Sequence, residues 1–247
     1  PGIFALYVMF YPQLVAGPIE RPGNLLHQFR ERHFFDYVRV TDGLKLMAWG
    51  LFKKVVVADT AALIVNPIYD NPRIYDGVGL TIATLLFAFQ IYCDFSGYSD
   101  IALGSAQVMG FHLMKNFDRP YVARSMAEFW RRWHISLSSW FKDYVYIPLG
   151  GNRVSVGRRY GNLFITFFLS GLWHGAGWTY IAWGVLNGSY VIFETITQPM
   201  RNKVSDFFRR HRFSKGYQVI QAGITFALVC FAWIFFRAKN IHDAFYI

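Results

Sequence analysis

The sequence predicts an all-α, multi-spanning membrane protein. Hydrophobic residues make up 54% of the 247 and aromatic residues 19%, against 16% charged; a soluble domain averages about 25% charged. The charges cluster and leave long apolar stretches between them, the pattern of spans and loops. The formal net charge of +10 falls between those stretches, as positive-inside loops require. A nucleic-acid binder would instead carry its basic residues as a stripe on one soluble face, so no nucleic-acid partner is expected. At about 20 residues per span plus loops, the length holds about six or seven membrane-crossing or re-entrant segments in a single domain, residues 1–247.

Taken in order, Ile3 to Val15 is apolar and meets Gly17-Pro18, which breaks a helix. Asn24 to Arg39 is polar and mixed in charge, the mark of a loop with an interfacial helix. Thr41 to Val65 is a long apolar segment carrying Lys45, Lys53, Lys54 and Asp59. Lysines near a helix end snorkel to the interface, so this segment reads as tilted or partly interfacial. Asn66 to Asp76, with Pro67 and Asn71-Pro72, is expected to be a loop. Val78 to Cys93 has no charge and is a span. It runs into Asp94-Phe95-Ser96-Gly97-Tyr98-Ser99-Asp100 and then a second apolar helix from Ile101 to Leu113.

Arg124 to Lys142 reads as one amphipathic helix, with Phe129, Trp133, Leu137 and Trp140 on one face. Tyr144 to Gly151, with Pro148 and Gly150-Gly151, reads as non-helical. Arg153, Arg158 and Arg159 mark one basic loop. Arg201, Lys203, Arg209, Arg210, Arg212 and Lys215 mark a second. Between them Gly161 to Trp173 and Trp178 to Ile196 form a hairpin that enters the membrane and returns. Val219 to Phe236 is the last span. Pro1 falls inside the end of an apolar helix and Ile247 closely follows another, so a piece of a longer protein is expected. The two cysteines, Cys93 and Cys230, suggest neither a disulfide framework nor a zinc site.

His174 is the leading candidate for chemistry. It lies in the apolar run Ser170-Gly171-Leu172-Trp173-His174-Gly175, about 20 Å along a helix from the first basic loop. Intramembrane ionisable residues are functional by default. On a regular helix its neighbours are Ser170, Gly171, Gly177 and Trp178, three of them small, so the ring would face a gap of the kind a substrate tunnel needs. The alternative is close helix packing at Gly171-x-x-x-Gly175, with His174 bonded to a backbone carbonyl. His134 is second, on the amphipathic helix near Trp130, Leu137, Ser138 and Phe141; an interfacial structural histidine is the competing reading. Asp94 and Asp100 suit helix capping and polar packing, or a cation or proton path. His27, His33, His112, His211 and His242 lie in loops or near span ends and carry little weight. No phosphate loop, dinucleotide fingerprint, zinc-protease motif or nucleophile elbow occurs.

Several blocks resemble the bacterial membrane-bound O-acyltransferases of the alginate O-acetyltransferase type. They are Phe10-Tyr11-Pro12-Gln13-Leu14-Val15-Ala16-Gly17-Pro18-Ile19, then Tyr92 through Asp100, then Glu128-Phe129-Trp130-Arg131-Arg132-Trp133-His134-Ile135-Ser136-Leu137-Ser138. Tyr146-Ile147-Pro148-Leu149-Gly150-Gly151-Asn152 and Gly171-Leu172-Trp173-His174-Gly175-Ala176 complete the set. The match runs in consistent order from Phe10 to Asn187. The teichoic-acid D-alanylation membrane protein shares the broader pattern.

The resemblance implies a catalytic role for His174, a second tunnel histidine at His134, and helices around a central funnel, in a multi-pass protein of the bacterial cytoplasmic (inner) membrane. It implies an acyl thioester donor, acetyl-CoA or an acylated carrier, arriving from the cytoplasm, where Arg153, Arg158 and Arg159 are placed to meet its phosphates. It also implies an exported polysaccharide acceptor, a periplasmic acetyltransferase partner and contact with membrane lipid. No bound cofactor or metal is expected. Family members are usually longer, with further spans at both ends. Three rival readings stand beside acetyl transfer: D-alanyl transfer to teichoic acid, a proton- or ion-coupled transporter using Asp94, Asp100 and Glu194, and a scaffold recruiting an extracytoplasmic acetyltransferase.

Overall fold

The computed structural model describes residues 2–210 and 214–247, and every regular element among them is helical. His211 and Arg212 of the second basic loop lie outside the described residues, as do the side chains of Arg209 and Arg210. The chain forms two compact units. The first comprises Pro1–Val65, Leu86–Asp118 and His134–Leu137; the second comprises Asn66–Leu85, Arg119–Trp133 and Ser138–Ile247.

The first unit opens with α1 (Gly2–Met9) and a single turn, α2 (Pro22–Leu25). Asp36 caps α3 (Tyr37–Leu51), accepting from the Arg39 backbone N–H at 2.6 Å. A π-helical stretch, Phe52–Ala58, then leads directly into α4 (Asp59–Asp70). The first unit also holds most of α5 (Gly77–Met109), a 33-residue helix. Small residues let α3 and α5 pack backbone to backbone: a Cβ on Gly50 would stand 2.6 Å from the Gly97 carbonyl oxygen. Glu20 accepts from the Met114 N–H, and Gln28 bonds both the N–H and the C=O of His112, tying the segment before α3 to the strand of chain after α5.

Three expectations are corrected here. The Asp94 to Asp100 stretch does not separate two helices, because α5 runs through it. Its carboxylates are met by cations instead: Lys54 Nζ is 2.7 Å from Asp94, and Lys53 Nζ 2.7 Å from Asp100. Lys53 therefore does not snorkel; it is buried and also donates to Ser96 Oγ at 2.9 Å. The predicted loop at Asn66 is helical as far as Asp70, despite Pro67. Buried Ile68 and Tyr69 hold that last turn, Tyr69 through a 2.8 Å bond to Thr84.

In the second unit, α6 (Met126–Arg132) starts from Ser125, whose Oγ accepts from the Glu128 N–H. The amphipathic segment is not one helix. It breaks at His134, which takes a left-handed φ of 43° and with the residues to Leu137 belongs to the first unit, and resumes as α7 (Ile135–Phe141). Phe129, Trp133 and Leu137 are buried as the periodicity predicts. A π-helical turn, Lys142–Tyr146, precedes the Ile147 to Gly151 turn, where Gly150 and Gly151 adopt positive φ. Asn162 donates to the Leu149 and Gly151 carbonyls and fastens that turn to α8 (Val156–His174).

The predicted hairpin is present. α8 packs antiparallel on α9 (Trp178–Arg210), with Gly171 against Tyr180 and Gly184, and Phe167 against Gly184 and Gly188. Most of the second basic segment is helical rather than looped, because α9 continues to Arg210 and α10 (Ser214–Arg237) begins soon after. The last element is α11 (Ile241–Tyr246). Among the described residues two helices, Gly77–Met109 and Lys215–Arg237, are long and apolar enough to cross a membrane by length and composition. Many large apolar side chains face outward, among them Trp178 at 73% exposure and Leu63 at 76%. Such a surface is suited to lipid or further protein rather than water.

Candidate active site

His174 is the last residue of α8, which ends because Gly175 turns the chain at φ 156°. A side chain at Gly175 would run into the Tyr180 ring. Gly177 and Trp178 are thus not helix neighbours of His174. Gly171 is spent on contact with Tyr180 and Gly184, so the expected gap on that face is closed. The imidazole is walled by aromatic rings instead. Trp183 meets it edge-to-face at 5.1 Å, Phe236 edge-to-face at 5.1 Å, and Tyr180 lies at 6.4 Å. Trp183 is itself locked by Trp130 and Trp233. Among the described residues the ring makes no hydrogen bond, so the backbone-carbonyl role is not what holds it. α8 is 19 residues long, about 28 Å at 1.5 Å per residue. Arg158 and Arg159 occupy its first turns, and His174 its far end.

His134 belongs to the first unit and His174 to the second. Around His134 the structure gathers a polar cluster. Its Nδ1 lies 3.0 Å from Asn116 Oδ1 and 3.4 Å from Ser136 Oγ, and Phe95 stands edge-on to the ring at 4.6 Å. Asn116 is fully buried, and its backbone carbonyl accepts from the Ile135 N–H at 2.9 Å. Left-handed backbone is uncommon outside glycine, with histidine among the tolerated exceptions. Here it swings the ring towards Asn116 while α7 restarts behind it.

The acidic candidates are occupied. Asp94 and Asp100 pair with lysines, and Glu194 pairs with Arg201 at 2.9 Å while accepting from the Ala127 N–H at 3.0 Å. Arg153 and Arg158 are exposed at the start of α8, available to a large anionic ligand. Sequence reasoning missed Asn116, Trp183 and Phe236. Trp183 follows His174 by nine residues but on the next helix, Asn116 precedes His134 by 18 and Phe236 follows His174 by 62, and none sits in a spacing that marks a site.

The family model for membrane-bound O-acyltransferases matches residues 3–236. The chain is 41% identical, over 98% of its length, to a probable alginate O-acetylase of Pseudomonas putida, of which it covers 47%. It is 40% identical to a peptidoglycan O-acetyltransferase of Helicobacter pylori, over 98% of this chain and 45% of that one. A teichoic acid D-alanyltransferase of Streptococcus thermophilus is 32% identical over 76% of this chain and 48% of that one. The chain thus spans about half the length of the curated relatives it matches. A match across nearly all of its residues, with the histidine blocks inside it, makes this chain a member of the membrane-bound O-acyltransferase family.

Proposed function

We propose that the protein is an O-acyltransferase of the bacterial cytoplasmic membrane, moving an acetyl group from a cytoplasmic thioester to the hydroxyls of an exported polysaccharide such as alginate. The observation that carries this reading is His174: an imidazole fixed by three aromatic rings at the end of a helix, with no hydrogen bond among the described residues. A side chain so oriented, and not bonded into the fold, is suited to meet a reactant.

In the reaction the donor is acetyl-CoA or an acylated carrier, its phosphates met by Arg153 and Arg158. Neutral His174 takes the proton from the acceptor hydroxyl. The hydroxyl oxygen attacks the thioester carbonyl, the C–S bond breaks, and the departing thiolate takes up a proton. In a second form of the same chemistry the imidazole accepts the acyl group first and then passes it to the hydroxyl. His134 orients the donor or stabilises charge at its carbonyl. A periplasmic acetyltransferase partner and contact with membrane lipid belong to this reading.

The acetyl assignment is favoured over D-alanyl transfer because relatives named for O-acetylation are 41% and 40% identical, whereas relatives named for D-alanylation are 32% and 27% identical. The transporter reading needs carboxylates able to exchange a cation, whereas each candidate is held by a lysine or arginine. The test is His174→Ala in the intact protein, with membrane insertion verified and polysaccharide acetylation measured. Acetylation should vanish, and acetylation at the wild-type level would refute the reading.

A further inference from the structure

We propose that Asn116 is a positioning residue that fixes His134 as the tautomer protonated on Nδ1, placing the ring's lone pair on Nε2. The inference rests on the reading that His134 takes part in acyl transfer.

One donor in this cluster has no choice of role. The Ser136 backbone N–H can only donate, and it points at one end of the Asn116 side chain at 3.3 Å. That end must be the amide oxygen, Oδ1. The other end, Nδ2, is then a donor, and it meets Ser99 Oγ at 3.2 Å, a group able to accept. With Oδ1 identified, an atom 3.0 Å away must bring it a proton, and His134 Nδ1 is at that distance. A lone pair on Nδ1 would face the lone pairs of Oδ1 across the same 3.0 Å. Ser136 Oγ, 3.0 Å from Oδ1 and 3.4 Å from Nδ1, adds a third donor to the same oxygen.

The cluster is built to be rigid. Asn116, Ser99 and Ser136 are each 1% exposed or less. A buried amide oxygen serving several donors is costly to lose, since each would be left unsatisfied. The left-handed backbone of His134 is also a strained conformation for a non-glycine residue, and it brings Nδ1 to Asn116. Choosing the tautomer decides which nitrogen can accept a proton, and the hydrogen bond at one ring nitrogen fixes the state of the other.

The test uses the intact protein in lipid bilayers with 15N-labelled histidine, His134 being assigned by its disappearance in His134→Gln. In wild-type protein at neutral pH, Nδ1 should show the shift of a protonated nitrogen and Nε2 that of an unprotonated one. Asn116→Leu removes the acceptor. It should mix the two tautomers and lower kcat by about 10-fold or more, part of the 10²–10⁴ that a positioned acid–base group supplies, with KM little changed. Asn116→Asp restores an oxygen facing Nδ1 and should recover the wild-type tautomer and most of the lost rate. An unprotonated Nδ1 in the wild type overturns the proposal, even if Asn116→Leu does not fold. So does an Asn116→Leu protein with wild-type tautomer and kcat. Wild-type turnover in His134→Gln overturns instead the reading beneath the proposal, and the tautomer measurement keeps the two failures apart.

Discussion

Lys53 Nζ lies 2.7 Å from Asp100 Oδ2, joining the π-helical stretch after α3 to the middle of α5. Both side chains are largely covered, 11% and 21% exposed. Breaking such a pair leaves one charge without its partner, which costs more than the pair contributes when intact. Lys53→Met should therefore destabilise the protein by about 3 kcal/mol, read as thermal unfolding in detergent. Replacing both residues, Lys53→Met with Asp100→Leu, should recover most of that loss. A single variant melting with the wild type would show that the pair holds nothing in the first unit.

The α8–α9 hairpin makes a prediction with its own control in the same hairpin, Gly184 on α9 against Gly161 on α8. A Cβ at Gly184 would stand 2.6 Å from the Phe167 carbonyl oxygen, an atom that cannot move without the helix. A Cβ at Gly161 meets nothing within 4 Å. Gly184→Ala should then cost about 1–3 kcal/mol, the range for overpacking. Gly161→Ala should raise stability by up to about 1 kcal/mol, because alanine is the better helix former. Equal melting temperatures for the two variants would contradict the close approach of α8 and α9.

The same hairpin shows what the sequence made legible. Two apolar stretches between basic segments specify a helical pair, and the pair formed as the expected antiparallel hairpin. The apolar periodicity of Phe129, Trp133 and Leu137 likewise announced a buried face. The break at His134 was invisible because its cause is tertiary: Asn116, outside the amphipathic segment and 18 residues earlier, holds His134 and Ser136 and overrides a helical pattern. The continuity of α5 was hidden for a similar reason. Asp94 and Asp100 look like an interruption until Lys54 and Lys53 arrive from another helix. His174 was legible as an ionisable residue in an apolar run, but its aromatic wall was not, since Trp183 and Phe236 come from two later helices.

Glu128 ties down the first turn of α6. Burial pushes its carboxyl upward. The Arg124 N–H at 2.8 Å and the Arg132 guanidinium at 2.7 Å outweigh that effect and hold it below the usual carboxylate range. A depressed carboxyl contributes stability above its unfolded pKa and loses it as pH falls through the folded value. Glu128→Gln should thus be less stable than the wild type at pH 7, by about 1.5 kcal/mol for a hydrogen bond to a charged group. The difference should close as the pH is taken below about 4. Melting curves across that range measure it, and a gap that persists unchanged into acid would rule out the ionised carboxylate as its source.

Trp183 tests the aromatic wall of His174. It is 2% exposed, and its ring also packs on Trp130 and Trp233. Trp183→Ala opens a cavity and should cost about 3–5 kcal/mol. Stability alone would not distinguish a wall from any other core residue, so Phe129→Ala serves as the comparison. Phe129 is 1% exposed, and its ring packs on Tyr121, Trp130 and Trp133 rather than on His174. On the proposed role of His174, at a temperature where both variants remain folded, acetyl transfer should fall about 100-fold in Trp183→Ala, the penalty for misplacing a reacting group by about 1 Å. It should fall far less in Phe129→Ala. Trp183→Phe keeps a ring edge towards His174 and should retain most of the rate. Equal losses in the two alanine variants would mean that Trp183 supports the fold without aiming the imidazole.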